Sequence, residues 1–258
     1  MTSDRRLLIL RRCVALAAGA LLLSTAPPAR AQGIGLEQLR QVVDWGREAY
    51  VLTEVLEFAP ELDARPARYD LLAWTGGAAN RVWFKADGEH ATRGGGGEAE
   101  LQLLYGRLVT PFWDAQIGLR FDVGYGGGDA QTRTHLALGL QGLAPGWFEL
   151  EPTLLVSQHG DVSANLTASY DLLFTQRLVL QPRLETRVAV QDVPEFGIGS
   201  GFNDLELAVR TRYELRREFA PYVGVLWSQR FGEATDLSRA RSEPVRELSW
   251  VAGFRLWR

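Results

Sequence analysis

Three imidazoles occur in the 258 residues, His90, His135 and His159, and carboxylates stand beside two of them: Asp87 and Glu89 just before His90, Asp161 just after His159. Imidazole nitrogen with carboxylate oxygen is a mixed donor set suited to a divalent transition metal, which makes these six residues the candidate metal ligands. Ser157 lies in the same neighbourhood and, with His159 and Asp161, supplies the residue types of a hydrolytic triad. Residues two apart in a loop act as a triad only where the fold brings nucleophile, base and orienting acid within hydrogen-bond reach. No motif with a matching context surrounds them, so the expectation is a protein that is not an enzyme. The four glycines at 94–97 read as a flexible loop, because no Lys-Ser/Thr pair and helix follow to cradle a phosphate.

Whether such ligands meet depends on the elements that carry them. Arg5, Arg6, Arg11 and Arg12 precede an apolar stretch over 13–23 and a small-residue site at Ala29-Arg30-Ala31. That order predicts a secretory signal peptide over 1–31. The apolar run is too short for a membrane helix and is followed by Pro27 and Pro28. The sole cysteine, Cys13, leaves with the leader, so residues 32–258 have no thiolate or disulfide chemistry. The leader also removes five arginines against one aspartate, which makes the remainder more acidic than the whole chain's net charge of −3. Nothing supplies the basic stripe of a nucleic-acid binder. Residues 32–258 hold no apolar run long enough for a membrane helix, which leaves a β-barrel as the membrane architecture.

A period of two dominates this region. In 205–215, Leu205, Leu207, Val209, Thr211, Tyr213 and Leu215 share one face, and the other carries Glu206, Arg210, Arg212 and Glu214. Residues 115–125 set Ile117, Leu119, Phe121 and Val123 against Gln116, Arg120 and Asp122, and 162–172 alternates in the same way. Runs of ten or eleven residues exceed the usual five or six of a soluble sandwich and match what crosses a bilayer when tilted. The chain is therefore read as an antiparallel transmembrane β-barrel, a closed meander of about 12 strands over 50–258, since lipid offers no partner to an open edge. The strands fall at about 50–57, 69–75, 81–88, 98–108, 113–125, 132–142, 147–157, 161–172, 176–191, 202–217, 219–230 and 246–257. Tight connections follow every second strand and are expected in the periplasm, and most of the others are longer and polar or Gly-rich, as outer loops are. Gln158-His159-Gly160 is a short exception on the outer side.

Phe112-Trp113, Trp147-Phe148 and Phe174 beside the tight turns suit an interfacial girdle. Pro152 and Pro182 inside strands predict bulges or interruptions. Leu36, Leu39, Val42 and Val43 fit one face of a short helix in a periplasmic segment over 32–49. The inward row carries Lys85, Glu98, Glu100, Arg120, Glu149, Glu151, Arg183, Glu185, Arg187, Glu206, Arg210, Arg212 and Glu214. Mixed charges of this kind either line a narrow aqueous passage or pair across the lumen and plug it.

Six stretches give the chain a resemblance to the outer-membrane copper resistance protein B family: 69–74 (YDLLAW), 85–89 (KADGE), 110–122 (TPFWDAQIGLRFD), 140–149 (LQGLAPGWFE), 173–185 (LFTQRLVLQPRLE) and 197–222 (GIGSGFNDLELAVRTRYELRREFAPY). The resemblance implies an outer-membrane barrel that contributes to copper tolerance by binding or moving copper ions. Its surroundings would be outer-membrane lipid, and periplasmic copper resistance proteins would be its partners. Members often carry a Met- and His-rich stretch near the mature N-terminus, whereas 32–50 has neither residue here, and the last residue is Arg258 behind Trp257. On this topology His90 lies in the second outer loop, His135 near the outer end of the sixth strand facing inward, and His159 in the fourth outer loop. With Asp87, Glu89 and Asp161 they would form a low-affinity Cu(II) site at the outer rim if the loops converge. Nothing in the sequence shows that convergence, and the simpler reading is solvated loop histidines with no shared site.

Overall fold

A computed structural model describes residues 48–60, 62–126 and 130–258. The expected signal peptide over 1–31 and most of the 32–49 segment, with its short helix, lie outside the described residues. The strands are β1 (Glu48–Phe58), β2 (Pro66–Gly76), β3 (Asn80–Ala91), β4 (Gly96–Thr110), β5 (Trp113–Tyr125), β6 (Gln131–Ala144) and β7 (Phe148–Ser157). They continue with β8 (Val162–Ser169, resuming at Leu172–Leu173), β9 (Leu178–Ala189), β10 (Gly201–Tyr213), β11 (Phe219–Arg230) and β12 (Arg246–Trp257). Each pairs antiparallel with its neighbour, and β12 returns to β1 with Leu52 opposite Trp257 and Phe58 opposite Ala252. The sheet is a closed meander of twelve strands. No strand is left with an open edge, which is the condition for a sheet to sit in lipid.

The two faces differ as the alternation demands. Along β5, Ile117, Leu119 and Phe121 are exposed on the outside at 42–50%, while Gln116 and Arg120 are 4% and 3% exposed within the ring. Residues apolar yet open to the surroundings on strands of ten to fifteen residues form a lipid-facing belt, and the charged row lies inside. Phe112, Trp147 and Phe174 stand out at the tight turns, as a girdle requires. Gly146 takes a left-handed conformation with φ 89°, which lets the chain reverse between β6 and β7 and set Trp147 outward.

The prolines act as expected. Opposite Pro152 the β6–β7 register skips from Gly139↔Thr153 to Gly142↔Leu150, because Pro152 has no N–H to give. Opposite Pro182, β8 breaks between Ser169 and Leu172, although Tyr170 still donates to the Pro182 carbonyl at 3.1 Å. The long connection after β11, expected as an outer loop, folds in part into a helix, α1 (Gly232–Ala240). The connection after β9 carries a single 3-10 turn, Pro194–Phe196.

Candidate functional site

The inward faces enclose a cavity of about 640 Å³ to which all twelve strands contribute. It runs from Phe196, Asp204 and Arg230 at the end with long connections to Tyr50, Trp74 and Arg255 at the other. Twelve acidic and eight basic side chains line it, so acidic groups outnumber basic ones by 12 − 8, or four. Each ion drawn out of bulk water costs several kcal/mol unless it is paired. The lining answers this with a dense set of pairs.

Arg120, 3% exposed, is bracketed by Glu100 and by Asp122 at 2.6 Å. Arg183 meets Asp70 at 2.7 Å, its neighbour Glu185 at 2.6 Å and Glu54 at 3.8 Å. Glu57 holds Arg210 through two hydrogen bonds of 2.9 Å and accepts a third, of 3.1 Å, from the Tyr222 hydroxyl. Tyr222 reaches that position by lying over Gly253, where a Cβ would come within 2.8 Å of its hydroxyl. Lys85 pairs with Glu151 and donates to Gln116 at 3.2 Å, close to the Trp83 ring. Trp83 lies in a lumenal apolar cluster with Leu104, Ala137 and Leu155, against which Leu72 and Trp74 pack.

The six ligands expected from sequence are held separately. His90 is the penultimate residue of β3 rather than a loop residue; its side chain is exposed and stacks on Tyr125, with Nδ1 3.2 Å from the phenol. Asp87 and Glu89, on the same strand, face the lumen, where Asp87 hydrogen-bonds Glu100 and Glu89 takes Arg68. His135 faces inward near the outer end of β6, as expected, with Nδ1 3.5 Å from Asp122. His159 sits in the turn between β7 and β8, its amide donating to Ser157 Oγ at 3.1 Å. Asp161 accepts from Arg133 at 2.6 Å and from Ser157 Oγ at 2.9 Å. Partial burial works against ionisation of Asp161, but those two donors outweigh it and hold the carboxyl below its ordinary range. Ser157 is thus bonded to Asp161 and not to an imidazole. Among the described residues, no group of three or more His, Cys, Asp or Glu is arranged to hold a metal ion.

The outer mouth is covered from one side. Arg241, at the end of α1, donates to the carbonyls of Pro194 and Glu195, and Phe196 lines the cavity beneath Arg133 of β6. Glu233 of α1 and Asp192 of the preceding connection hydrogen-bond one another, and both accept from Ser200, whose amide is 2.5 Å from Asp192 and 3.1 Å from Glu233. The bond to Glu233 and partial burial raise the Asp192 carboxyl, and the same bond lowers Glu233.

Residues 47–258 match the family described as Copper resistance protein B precursor (CopB). The chain is 40% identical to Copper resistance protein B of Escherichia coli over 207 residues, 80% of this chain and 68% of that protein. The chain belongs to the copper resistance protein B family. A homolog from Pseudomonas syringae pv. tomato is 37% identical over 217 residues, 84% and 72% of the two chains. Among solved structures, the KdgM porin aligns at a TM-score of 0.45 and 12% identity, covering 82% of this chain and 98% of that one. As a member of this family with a closed barrel, the chain is an outer-membrane protein with a role in copper resistance.

Sequence alternation predicts much of this lumen, Asp122 of β5 included, but not Glu54, Glu57, Arg68 and Asp70. Glu54 and Glu57 are an odd number of residues apart, yet both line the cavity. A register shift in β1 between Thr53 and Val55 turns them to the same side. No period-two reading reveals such a bulge. Asp70 follows the alternation of its strand, whereas Arg68 falls before the expected strand start at 69 and enters the lumen because β2 begins at Pro66.

Proposed function

We propose that this copper resistance protein B is not an enzyme and handles copper directly, as cargo, through the groups lining its lumen and outer rim. The observation that carries this is the excess of carboxylates along a cavity fed by all twelve strands. Copper ions are cationic and accept imidazole and carboxylate donors. In this reading His90, His159 and Asp161 at the rim offer first contacts, and Glu89, Asp87 and His135 lead inward. His135 is the one imidazole of the three inside the ring, 3% exposed, beside Asp122. Because Glu54, Glu57, Asp70, Glu89, Glu100 and Glu206 already hold arginines, the lumen binds copper weakly and exchangeably, as suits a cation in transit. Residues 1–31 act as the export leader, and periplasmic copper resistance proteins meet the inner end.

The test is calorimetric titration of Cu(II) into the refolded chain in detergent, beside His90→Ala/His135→Ala/His159→Ala and Asp87→Asn/Glu89→Gln. Saturable binding weakened by both sets of substitutions is expected. Binding indistinguishable from that of a histidine-free barrel would refute direct handling of copper.

A further inference from the structure

The ring order places several of the lumenal ion pairs across the barrel rather than along its wall. Asp70 is on β2 and Arg183 on β9, which are five strands apart in a ring of twelve. Glu100 on β4 and Arg187 on β9, 3.2 Å apart, are likewise five strands apart. Arg68 on β2 reaches Glu206 on β10 at 2.8 Å, four strands away. Neighbouring strands are about 4.8 Å apart, so side chains so far round a ring can meet only by crossing its interior. Arg183 and Arg187 alternate inward on one strand, one turn of the pleat period apart twice over, and stand as successive bars. Glu54 of β1 also approaches Arg183, at 3.8 Å, and accepts from Gln181 at 3.3 Å, extending the first bar to a third strand.

We infer that the cross-lumen pairs of Arg183 and Arg187 form the gate of the barrel and set its charge selectivity. A fork-shaped guanidinium held by carboxylates from the facing wall narrows the path and offsets the acidic charge that would otherwise favour cations. Without the Arg183 guanidinium the cavity lining goes from twelve carboxylates against eight cations to twelve against seven, and the charges freed are Asp70, Glu185 and Glu54, all at one level of the lumen. Rings of acidic side chains select cations. The gate therefore makes two linked demands: removing an arginine opens the path, and the opened path prefers cations. A wall-side pair such as Arg120 with Asp122, two residues apart on β5, makes neither.

This goes beyond copper handling, and its test uses potassium and chloride alone, so its failure and that of the copper reading are separable. The full refolded chain is placed in planar lipid bilayers, with conductance and the reversal potential measured across a KCl gradient. Arg183→Gln is expected to raise conductance several-fold over the parent and to move the reversal potential toward that of potassium. Arg183→Gln/Asp70→Asn should stay open but move the reversal potential back toward the parent. Arg187→Gln, on the second bar, gives the same readout if the first variant fails to fold. Unchanged conductance in folded Arg183→Gln and Arg187→Gln, or opening with no shift in reversal potential, would overturn the assignment.

Discussion

Replacing Glu57 with leucine tests the energetics of the seam where the barrel closes. Glu57 sits on β1, which pairs with β12 in an irregular register between Thr53 and Glu57, so this part of the closure has fewer ladder bonds than the rest. Its side chain is 1% exposed and accepts two bonds from Arg210 on β10 and one from Tyr222 on β11. Glu57→Leu takes from the Arg210 guanidinium, 6% exposed, its ion-pair partner, and leaves the Tyr222 hydroxyl without that acceptor. Breaking a buried pair from one side costs about 3–5 kcal/mol. That corresponds to roughly two to nearly four orders of magnitude in the folding equilibrium, at about 1.4 kcal/mol per tenfold. The assay is urea unfolding in liposomes followed by tryptophan fluorescence. The triple change Glu57→Leu/Arg210→Met/Tyr222→Phe removes every polar partner together and should recover most of the loss, since apolar replacements of buried pairs are often neutral. A single variant within about 1 kcal/mol of the parent would mean that lumenal water solvates Arg210 and that the pair does not fasten the seam.

Two further expectations follow from the same structure. Leu119→Arg, at the middle of β5 on the lipid face, should destabilise the barrel by about 2–4 kcal/mol, and Val109→Arg, near the inner end of β4, by no more than about 1 kcal/mol; equal costs in the same unfolding assay would place the belt wrongly. The Asp192–Glu233 contact over the mouth should depend on pH. Asp192 is raised, so its contribution is complete below its unfolded value and is lost as pH rises through its folded one; Glu233 is lowered, so its contribution holds above its unfolded value and is lost as pH falls through its folded one. Hydrogen-exchange protection of the Ser200 amide should therefore be greatest between those limits and fall on the alkaline side, and Asp192→Asn, whose NH2 group donates to Glu233 at any pH, should abolish that alkaline fall.

Fold and site differed in how far the residues alone disclosed them. Strands such as β5 and β10 are legible because lipid outside and charge inside impose opposite chemistry on alternate residues, and no soluble sheet needs that over a dozen positions. The interruptions at Pro152 and Pro182 were legible too, from the missing donor. The helix α1 was not: GEATDLSRA is short and polar, and Phe231 provides no side-chain cap, so its signal is weak beside the surrounding turn residues. His90 lies beyond the expected strand end at 88 and so reads as a loop residue, whereas the β3–β4 ladder continues to Ala91 opposite Gly96. The cross-lumen partners were invisible for a different reason. Alternation tells which side a residue faces, but Arg183 meeting Asp70 depends on ring size and stagger, which only the closed barrel fixes.

The central claim, that the lumen of this barrel carries its copper-resistance role, is tested most directly by copper tolerance in cells producing either the parent chain or Asp87→Asn/Glu100→Gln, with folding in the outer membrane checked by heat-modifiable migration. The account predicts that the parent raises the tolerated copper concentration and that the folded lumenal variant loses most of that protection. Full protection by the folded variant would contradict it.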